Sequence, residues 1–261
     1  MRKQGKTEMK NISFQLYSAR NHPPLGDVLA LLKSAGYAEV EGFGGVYGAL
    51  DEAGNAAFKA LLDKHGLSMP TGHFGLDVLE SDVEAVLAFA RKVDMTSIYC
   101  PYLLPDARPK DAAGWHEFGA RLQKAGAPYR AAGFDFGWHN HDFEFIALPD
   151  GSLPLDHIFA GGPDLSWEMD VAWVVRGGAD AFAWIEMYKG RITAVHVKDI
   201  APAGENKDED GWADVGHGRL PWARLFAALG DTKARHFIVE HDNPNDLIRF
   251  VTRSIASIRT Y

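Results

Sequence analysis

Acidic and imidazole side chains cluster at four points in the second half of the sequence. They lie in the segments GWHNHDFEF, WEMD, HVKD and VEHD, each of which ends a short apolar run. The residues concerned are His139, His141, Asp142, Glu144, Glu168, Asp170, His196, Lys198, Asp199, Glu240, His241 and Asp242. Carboxylates and imidazoles bind divalent cations, and they also act as general acids and bases. The four segments therefore predict metal-assisted or acid–base chemistry if the fold brings them together.

The elements that must position these residues are predicted by hydrophobic patterning. Eight short apolar or β-branched runs alternate with amphipathic stretches along the chain, a pattern typical of parallel strands joined by helices. The predicted strands are residues 12–17, 38–43, 68–74, 97–101, 134–139, 165–170, 192–197 and 237–240. Gly36, Gly66 and Gly133 stand where the intervening helices should end. We predict an α/β protein with one closed (β/α)8 TIM barrel over residues 10–261 and a flexible tail over 1–9, rather than a doubly wound open sheet.

In such barrels, active sites lie at the carboxyl ends of the strands, where the four segments fall on neighbouring strands. A single acid at a strand end is more often a helix cap or an ion-pair partner than a ligand, but four neighbouring strand ends together favour a site. His139 and His141 share one face of a regular strand. Glu144 is three residues after His141, so on a regular strand its side chain would point to the opposite face. It reaches the same site only if the backbone turns after His141.

Other residues give weaker signals. Glu41 and His73 lie near the ends of earlier strands, where substrate contact and structural hydrogen bonding are about equally expected. Trp173, three residues past Asp170, could form an apolar wall against a sugar ring. Cys100 is expected to be a small buried hydrophobe. Residues 199–219 are predicted to form a mobile loop after the seventh strand, with mainly solvated charges.

The composition of the chain argues against several classes of function. With 27 Lys and Arg against 35 Asp and Glu, the formal charge is −8, which argues against binding to nucleic acid. The single cysteine excludes an internal disulfide and a cysteine-based metal cluster. Neither a signal peptide nor a membrane span is evident, and no nucleotide-binding motif occurs. These features predict a cytoplasmic protein that acts on a small polar molecule, without a membrane partner.

The segments QLYSAR, HNHDFEF, EMDVAWVVRGGAD, GRITAVHVKD and IVEHD together resemble the sugar phosphate isomerase/epimerase family, in the same order and over nearly the whole chain. This family belongs to the xylose isomerase-like TIM barrel superfamily, with inosose dehydratase and endonuclease IV. The resemblance implies a divalent metal, most often Mn²⁺, with Mg²⁺, Co²⁺ or Zn²⁺ as alternatives. Matching motif to motif places its ligands at Glu144, Asp170, His196 and Glu240. An alignment shifted into the strand selects His139 instead of Glu144.

The sequence departs from the family pattern in two places. Tagatose-type epimerases carry a Glu inside strand five and an Arg shortly after the strand-seven His, whereas this chain has His139 and His141 and no such Arg. The paired histidines look more like inosose dehydratase and lyases that act on 3-keto sugars. The family loop before helix eight commonly reads Gly-Glu-Gly, where this chain has His217 between two glycines; His217 is therefore a candidate substrate contact, as are Glu41, His73, Trp173 and Lys198.

The resemblance implies an isomerase or epimerase that acts through a metal-stabilised enediolate, with Glu240, Glu144, His139 or His141 as the acid or base. The alternative is a dehydratase or lyase on a keto-inositol or 3-keto sugar. A non-catalytic sugar-binding barrel and an endonuclease are further hypotheses, and the acidic charge disfavours the endonuclease. The expected substrate is a small sugar or cyclitol, and a homo-oligomer is possible.

Overall fold

The structure is a computed structural model that describes residues 12–261, so the predicted tail over residues 1–9 lies outside the described residues. Eight parallel strands close into a barrel, which confirms the predicted fold. The barrel strands are β1 (Ile12–Gln15), β2 (Glu39–Gly42), β3 (Ser68–His73), β4 (Ser97–Cys100), β5 (Asp135–His139), β6 (Ser166–Asp170), β7 (Ile192–Val197) and β10 (His236–Val239). Their order around the barrel is β1-β10-β7-β6-β5-β4-β3-β2. A separate antiparallel pair, β8 (Asp199–Ile200) and β9 (Trp212–Ala213), lies in the loop after β7.

Twelve α-helices lie in the described part of the chain. They are α1 (Leu25–Ala35), α2 (Gly44–Tyr47), α3 (Glu52–His65), α4 (Leu76–Ser81), α5 (Val83–Lys92), α6 (Ala112–Ala125), α7 (Ala127–Ala131), α8 (Pro154–Gly161), α9 (Val171–Arg176), α10 (Ala181–Tyr188), α11 (Trp222–Leu229) and α12 (Leu247–Ile258). The helix ends follow the sequence: Gly36 and Gly66 cap α1 and α3 with φ of 99° and 62°, and Gly133 follows α7 with φ of 93°. Glycine adopts this left-handed conformation without the strain that a Cβ would cause.

The strands carry two different faces. Trp138 and Trp167 point outward into the core between barrel and helices and are fully buried. Tyr99, Ala194 and Ile238 form a small apolar cluster of their own. Because β4 is not adjacent to β7 or β10, this contact crosses the barrel interior. It forms an apolar floor beneath the polar residues at the carboxyl ends of the strands.

Strand register brings those polar residues side by side. His139 on β5 pairs with Glu168 on β6, and Asp170 on β6 pairs with His196 on β7. Glu240 follows directly after β10, which is in register with β7. Adjacent strands lie about 4.8 Å apart, so side chains that point inward from these positions must meet.

The loop after β7 carries mainly exposed charged residues, as predicted, but it is organised around one buried carboxylate, that of Asp199. The Asp199 carboxylate accepts N–H bonds from Ile200 at 2.9 Å, Gly216 at 3.0 Å, Gly218 at 3.2 Å and Leu220 at 3.1 Å. A Cβ at residue 218 would lie 2.2 Å from Asp199 Oδ1, so the backbone can approach the carboxylate only because residue 218 is glycine. Asp199 therefore organises the loop.

Among residues 12–261, no helix is both long enough and apolar enough to cross a lipid bilayer.

The Asp199 contacts predict that Gly218→Ala destabilises the protein, because its methyl group displaces the carboxylate. We expect the free energy of unfolding in urea to fall by about 1–3 kcal/mol, as for other overpacked sites. Gly190→Ala is the control, since nothing lies within 4 Å of the added methyl group. Equal stability of the two variants would contradict this account of the loop.

Candidate metal centre

Four side chains at the carboxyl ends of β5, β6, β7 and β10 form what we call the outer group: His139, Asp170, His196 and Glu240. Each offers one nitrogen or oxygen atom, and these four atoms all lie within 4.8 Å of one another. His196 Nδ1 lies 2.9 Å from Glu240 Oε2, and all four residues are buried. Two imidazoles and two carboxylates form a ligand set that suits a divalent transition metal.

Asp170 shows why the outer group fits a cation. Its Oδ1 accepts the N–H of Trp173 at 2.8 Å and thereby caps α9, while its Oδ2 is buried without any hydrogen-bond donor. Burial raises the pKa of Asp170 to about 7, although the Lys198 ammonium opposes this shift. A bound cation would partner the free oxygen. Asp170 therefore caps a helix with one oxygen and still has a second oxygen that accepts no hydrogen bond.

Asn140, the middle residue of the HNH segment, holds Asp170 in place. Its Oδ1 accepts hydrogen bonds from Trp167 Nε1 at 2.8 Å and from Asp170 N at 2.9 Å, and its Nδ2 donates to Asp170 O at 3.1 Å. The side chain thus joins the end of β5 to β6. No pattern in the sequence indicated this role, because Asn140 faces the opposite side of the strand from the two histidines and carries no charge.

Glu144 does not join the outer group, contrary to the motif alignment. After His139 the chain enters a short 3-10 helix (Phe143–Phe145), and the Glu144 carboxylate folds back behind the strand. It accepts hydrogen bonds from Trp138 Nε1 at 2.8 Å and His141 N at 2.9 Å. Burial raises its pKa to about 8. The structure thus favours the alternative alignment, in which His139 is the strand-five ligand.

A second set of side chains, which we call the inner group, lies deeper in the barrel: Glu41, His73 and Glu168. His73 Nε2 lies 2.5 Å from Glu168 Oε2 and 3.2 Å from Glu41 Oε1. Glu41 also accepts hydrogen bonds from Gln15 Nε2, at 2.7 Å. Burial, followed by the neighbouring Glu41, raises the pKa of Glu168 to about 8.

His196 connects the two groups through its two ring nitrogens. Its Nε2 lies 2.7 Å from Glu41 Oε1, on the side opposite to the Nδ1 atom that faces Glu240. Burial disfavours the charged ring, but the carboxylates of Glu240, Glu168 and Glu41 outweigh this effect and hold the pKa of His196 well above its usual value. When Nε2 donates to Glu41, the lone pair on Nδ1 is available to a cation.

Lys198, a predicted substrate contact, lies among carboxylates beside the outer group. Its ammonium is fully buried, 2.5 Å from Asp242 Oδ1 and 3.3 Å from Glu240 Oε2. It also lies 4.2 Å from the centre of the Trp212 ring. Burial opposes the charge, but the surrounding carboxylates raise the pKa of Lys198 above its usual value. Lys198 therefore balances the charge of the carboxylates around it and lies outside the cavity lining.

A cavity of about 750 Å³ opens above the outer group. His73, His139, His141, Trp173 and Glu240 line it, so the structure brings these predicted residues to one space. His217 is not part of the lining; it is exposed, 3.3 Å from Ser257 on α12, because Asp199 holds both flanking glycines. Glu41 lies beneath the cavity rather than in its wall.

Two further residues of the site carried weaker signals in the sequence. Glu168 precedes Asp170 by two positions and therefore shares its inward face, which is a usable signal. Asp242 lines the cavity and binds Lys198, and it stands in the VEHD segment. Cys100 is fully buried, and burial raises its thiol pKa to about 12, so it is the small hydrophobe that was predicted.

The family model for the xylose isomerase-like TIM barrel matches residues 29–259. The chain belongs to this family. Comparison with curated proteins finds no match.

Solved structures share the fold of this xylose isomerase-like barrel at low sequence identity. A sugar phosphate isomerase/epimerase from Parabacteroides distasonis is 20% identical with a TM-score of 0.78, over 98% of this chain and 95% of that one. A probable 3-DHS dehydratase of petrobactin synthesis from Bacillus anthracis is 14% identical with a TM-score of 0.73, over 95% and 98% of the two chains. The IolI protein with a bound zinc atom is 12% identical with a TM-score of 0.73, over 96% and 95%.

The contacts of Asn140 predict that Asn140→Ala lowers the free energy of unfolding by roughly 1–3 kcal/mol, because Trp167 Nε1 and Asp170 N lose their buried acceptor. Asn140→Asp keeps an acceptor and should lose less. His141→Ala, one residue along, is the control, since its side chain accepts no hydrogen bond in the described structure. Chemical denaturation measures all three variants, and an Asn140→Ala protein as stable as His141→Ala would refute the role.

Proposed function

We propose that this protein is a divalent-metal-dependent enzyme that isomerises or epimerises a small sugar or sugar derivative by moving a proton next to a carbonyl group. One observation carries the proposal: four buried ligand atoms of the outer group face one another at the floor of the cavity. The Oδ2 atom of Asp170, which accepts no hydrogen bond and lies 3.8 Å from the Lys198 ammonium, is the clearest sign that a positive ion completes the group.

His139, Asp170, His196 and Glu240 would hold the ion. The mixed nitrogen and oxygen set is suited to Mn²⁺, and also to Zn²⁺ or Co²⁺. A bound cation supplies Lewis-acid stabilisation of the negative charge that develops on a sugar oxygen.

Glu240 is our candidate for the base, because it belongs to the outer group and also lines the cavity. Burial disfavours its charged form, but Lys198 and His196 outweigh this effect and lower the pKa of Glu240 below its usual value. The ionised carboxylate can accept a proton from a carbon next to a carbonyl group. Trp173 and His141, whose ring centres are 5.2 Å apart, form the wall against which the sugar would be oriented.

A dehydratase or lyase acting on a keto-inositol or 3-keto sugar is the second candidate. His139 and His141 both face the cavity, where a departing hydroxyl group would need a proton. Burial, followed by Lys198, lowers the pKa of His141 to about 3, so this ring is neutral and is a weak source of that proton. We therefore place the isomerase or epimerase first.

A cytoplasmic location and a homo-oligomeric state stay predictions.

The metal assignment predicts that Asp170→Asn and His196→Ala lose most of their bound Mn²⁺ or Zn²⁺, measured by mass spectrometry of the dialysed protein. His139→Ala should also lose metal, whereas Glu144→Gln should keep it, because Glu144 faces Trp138 and His141. Circular dichroism checks that each variant is folded. If Glu144→Gln lost its metal and His139→Ala kept it, Glu144 rather than His139 would be the ligand from strand five.

The reaction class is tested by incubating the metal-loaded protein with a panel of ketoses, keto-sugars and inososes in deuterated water. An isomerase or epimerase should incorporate deuterium at carbon and yield a rearranged sugar. A lyase should instead release an unsaturated product that absorbs in the ultraviolet. Glu240→Gln should lower the turnover by roughly 10²–10⁴-fold, as expected for loss of a positioned base. Binding without any metal-dependent exchange across the panel would contradict the enzyme assignment.

A further inference from the structure

The cavity extends well beyond the outer group and the wall formed by His141 and Trp173. Its volume is about 750 Å³. Cavities of about 300–1,000 Å³ typically enclose ligands of drug size, which are much larger than one sugar ring. Trp173 follows β6, and β2 lies four strands away in the order of eight, on the opposite side of the barrel. A sugar ring placed against Trp173 therefore leaves the side near β2 open.

That opposite side and the adjoining rim carry aromatic side chains of their own. Tyr17 follows β1 and Phe43 follows β2, and their ring centres are 5.2 Å apart in an edge-to-face arrangement. Tyr102 follows β4 and lies 5.9 Å from Phe143 in a similar arrangement. Tyr17 and Tyr102 are 38% and 41% exposed, so their rings are accessible to a ligand. We call these four side chains the aromatic mouth.

Between the two aromatic pairs, glycine keeps the cavity wide. Gly44 and Gly75 line it, and nothing lies within 4 Å of the position that a Cβ would take at either residue. Gly75 has a φ of −61°, which other residues also adopt, so the backbone does not require glycine there. Its effect is to leave room for a ligand beside the aromatic mouth.

Two arginines are fixed against the aromatic rings and retain free donors. The Arg108 guanidinium lies 3.6 Å from the centre of the Phe143 ring, and its Nη2 donates to the Tyr102 hydroxyl at 2.8 Å. Arg20 lies 4.0 Å from the centre of the Tyr17 ring and donates to the carbonyl oxygen of Tyr17 at 3.1 Å. A guanidinium has five N–H donors, so each arginine can also bind ligand oxygens.

The mouth carries charges of both signs rather than the excess of positive charge that favours a phosphate. Asp142, Asp210 and Asp242 line the same cavity as Arg20 and Arg108. A phosphate ester would bring a charge of roughly −2 beside these carboxylates. Sugar hydroxyl groups both donate and accept hydrogen bonds, so they can use the carboxylates and the guanidinium groups together. The apolar C–H groups of a sugar ring can pack on the aromatic rings.

We propose that the aromatic mouth is a second substrate subsite, and that the substrate is a ketose or keto-sugar joined to a second, neutral sugar ring. The first ring would lie over the outer group against His141 and Trp173. The second would lie against the aromatic mouth, with hydroxyl groups bound by Arg20 and Arg108. This inference rests on the proposed function, whose substrate class it narrows.

The test compares the affinities of one-ring and two-ring sugars. Fructose is titrated into the protein in the presence of Mn²⁺ by isothermal calorimetry, alongside turanose, maltulose and palatinose, which join glucose to different carbons of fructose. At least one disaccharide should bind roughly tenfold more tightly than fructose, because a second ring buries apolar surface against the mouth. Fructose 6-phosphate, which carries its phosphate where palatinose carries glucose, should bind more weakly than palatinose.

Variants locate the subsite. Tyr17→Ala should reduce the affinity for the preferred disaccharide more than the affinity for fructose, and Gly75→Val should do the same by occupying the open space. Tyr261→Ala is the matched control, because Tyr261 is 37% exposed but lies outside the cavity lining, and it should preserve both affinities. Circular dichroism checks that each variant is folded.

Equal affinities for fructose and the three disaccharides, or no binding of any of them, would overturn the second subsite. Tighter binding of fructose 6-phosphate than of palatinose would also overturn it, in favour of an anion at the mouth. Failure of the proposed function gives a different result. Disaccharides that bind tightly but never incorporate deuterium would refute the enzyme and support the subsite, whereas deuterium exchange on fructose without any preference for a disaccharide would remove the subsite alone.

Discussion

The structure depends on how a closed barrel accommodates buried negative charge. Glu41, Glu168, Asp170 and Glu240 all lie inside it, above an apolar floor that separates them from the other end of the barrel. Within the described residues, Lys198 is the one ammonium among them, and it is bound mainly by Asp242. Uncompensated charge of this kind destabilises a fold. A cation held by these carboxylates would therefore also stabilise the fold.

Carboxylates of similar chemical type have three different uses at the carboxyl ends of the strands. Asp199 organises a loop by accepting four backbone N–H groups. Glu144 stabilises the turn after β5 through Trp138 and the backbone of His141. Asp170 uses one oxygen to cap a helix and leaves the other free for an ion. Asp170 therefore differs from Asp199 and Glu144 in keeping one carboxylate oxygen without a hydrogen-bond donor.

The sequence predicted the barrel, its strands and the helix-ending glycines, because these follow from local periodicity and from the conformational freedom of glycine. It also indicated Asp170, His196 and Glu240, which end or follow apolar strands. It could not decide between His139 and Glu144, since the direction of a side chain beyond a strand end depends on the turn that follows. His217 and Lys198 lie outside the cavity lining, because Asp199 holds the glycines on either side of His217 and Asp242 binds the Lys198 ammonium. These partners are distant in sequence or belong to another strand.

We propose that divalent cations complete the charge of the barrel interior, and the dependence of stability on cation concentration tests this most directly. The free energy of unfolding of chelator-treated protein should rise with the logarithm of added Mn²⁺ or Zn²⁺, because an ion that binds only the folded state stabilises it, by about 2.7 kcal/mol at a hundredfold excess over its dissociation constant. His196→Ala should show a smaller rise at the same concentrations. A wild-type stability that does not change with cation concentration would contradict the account.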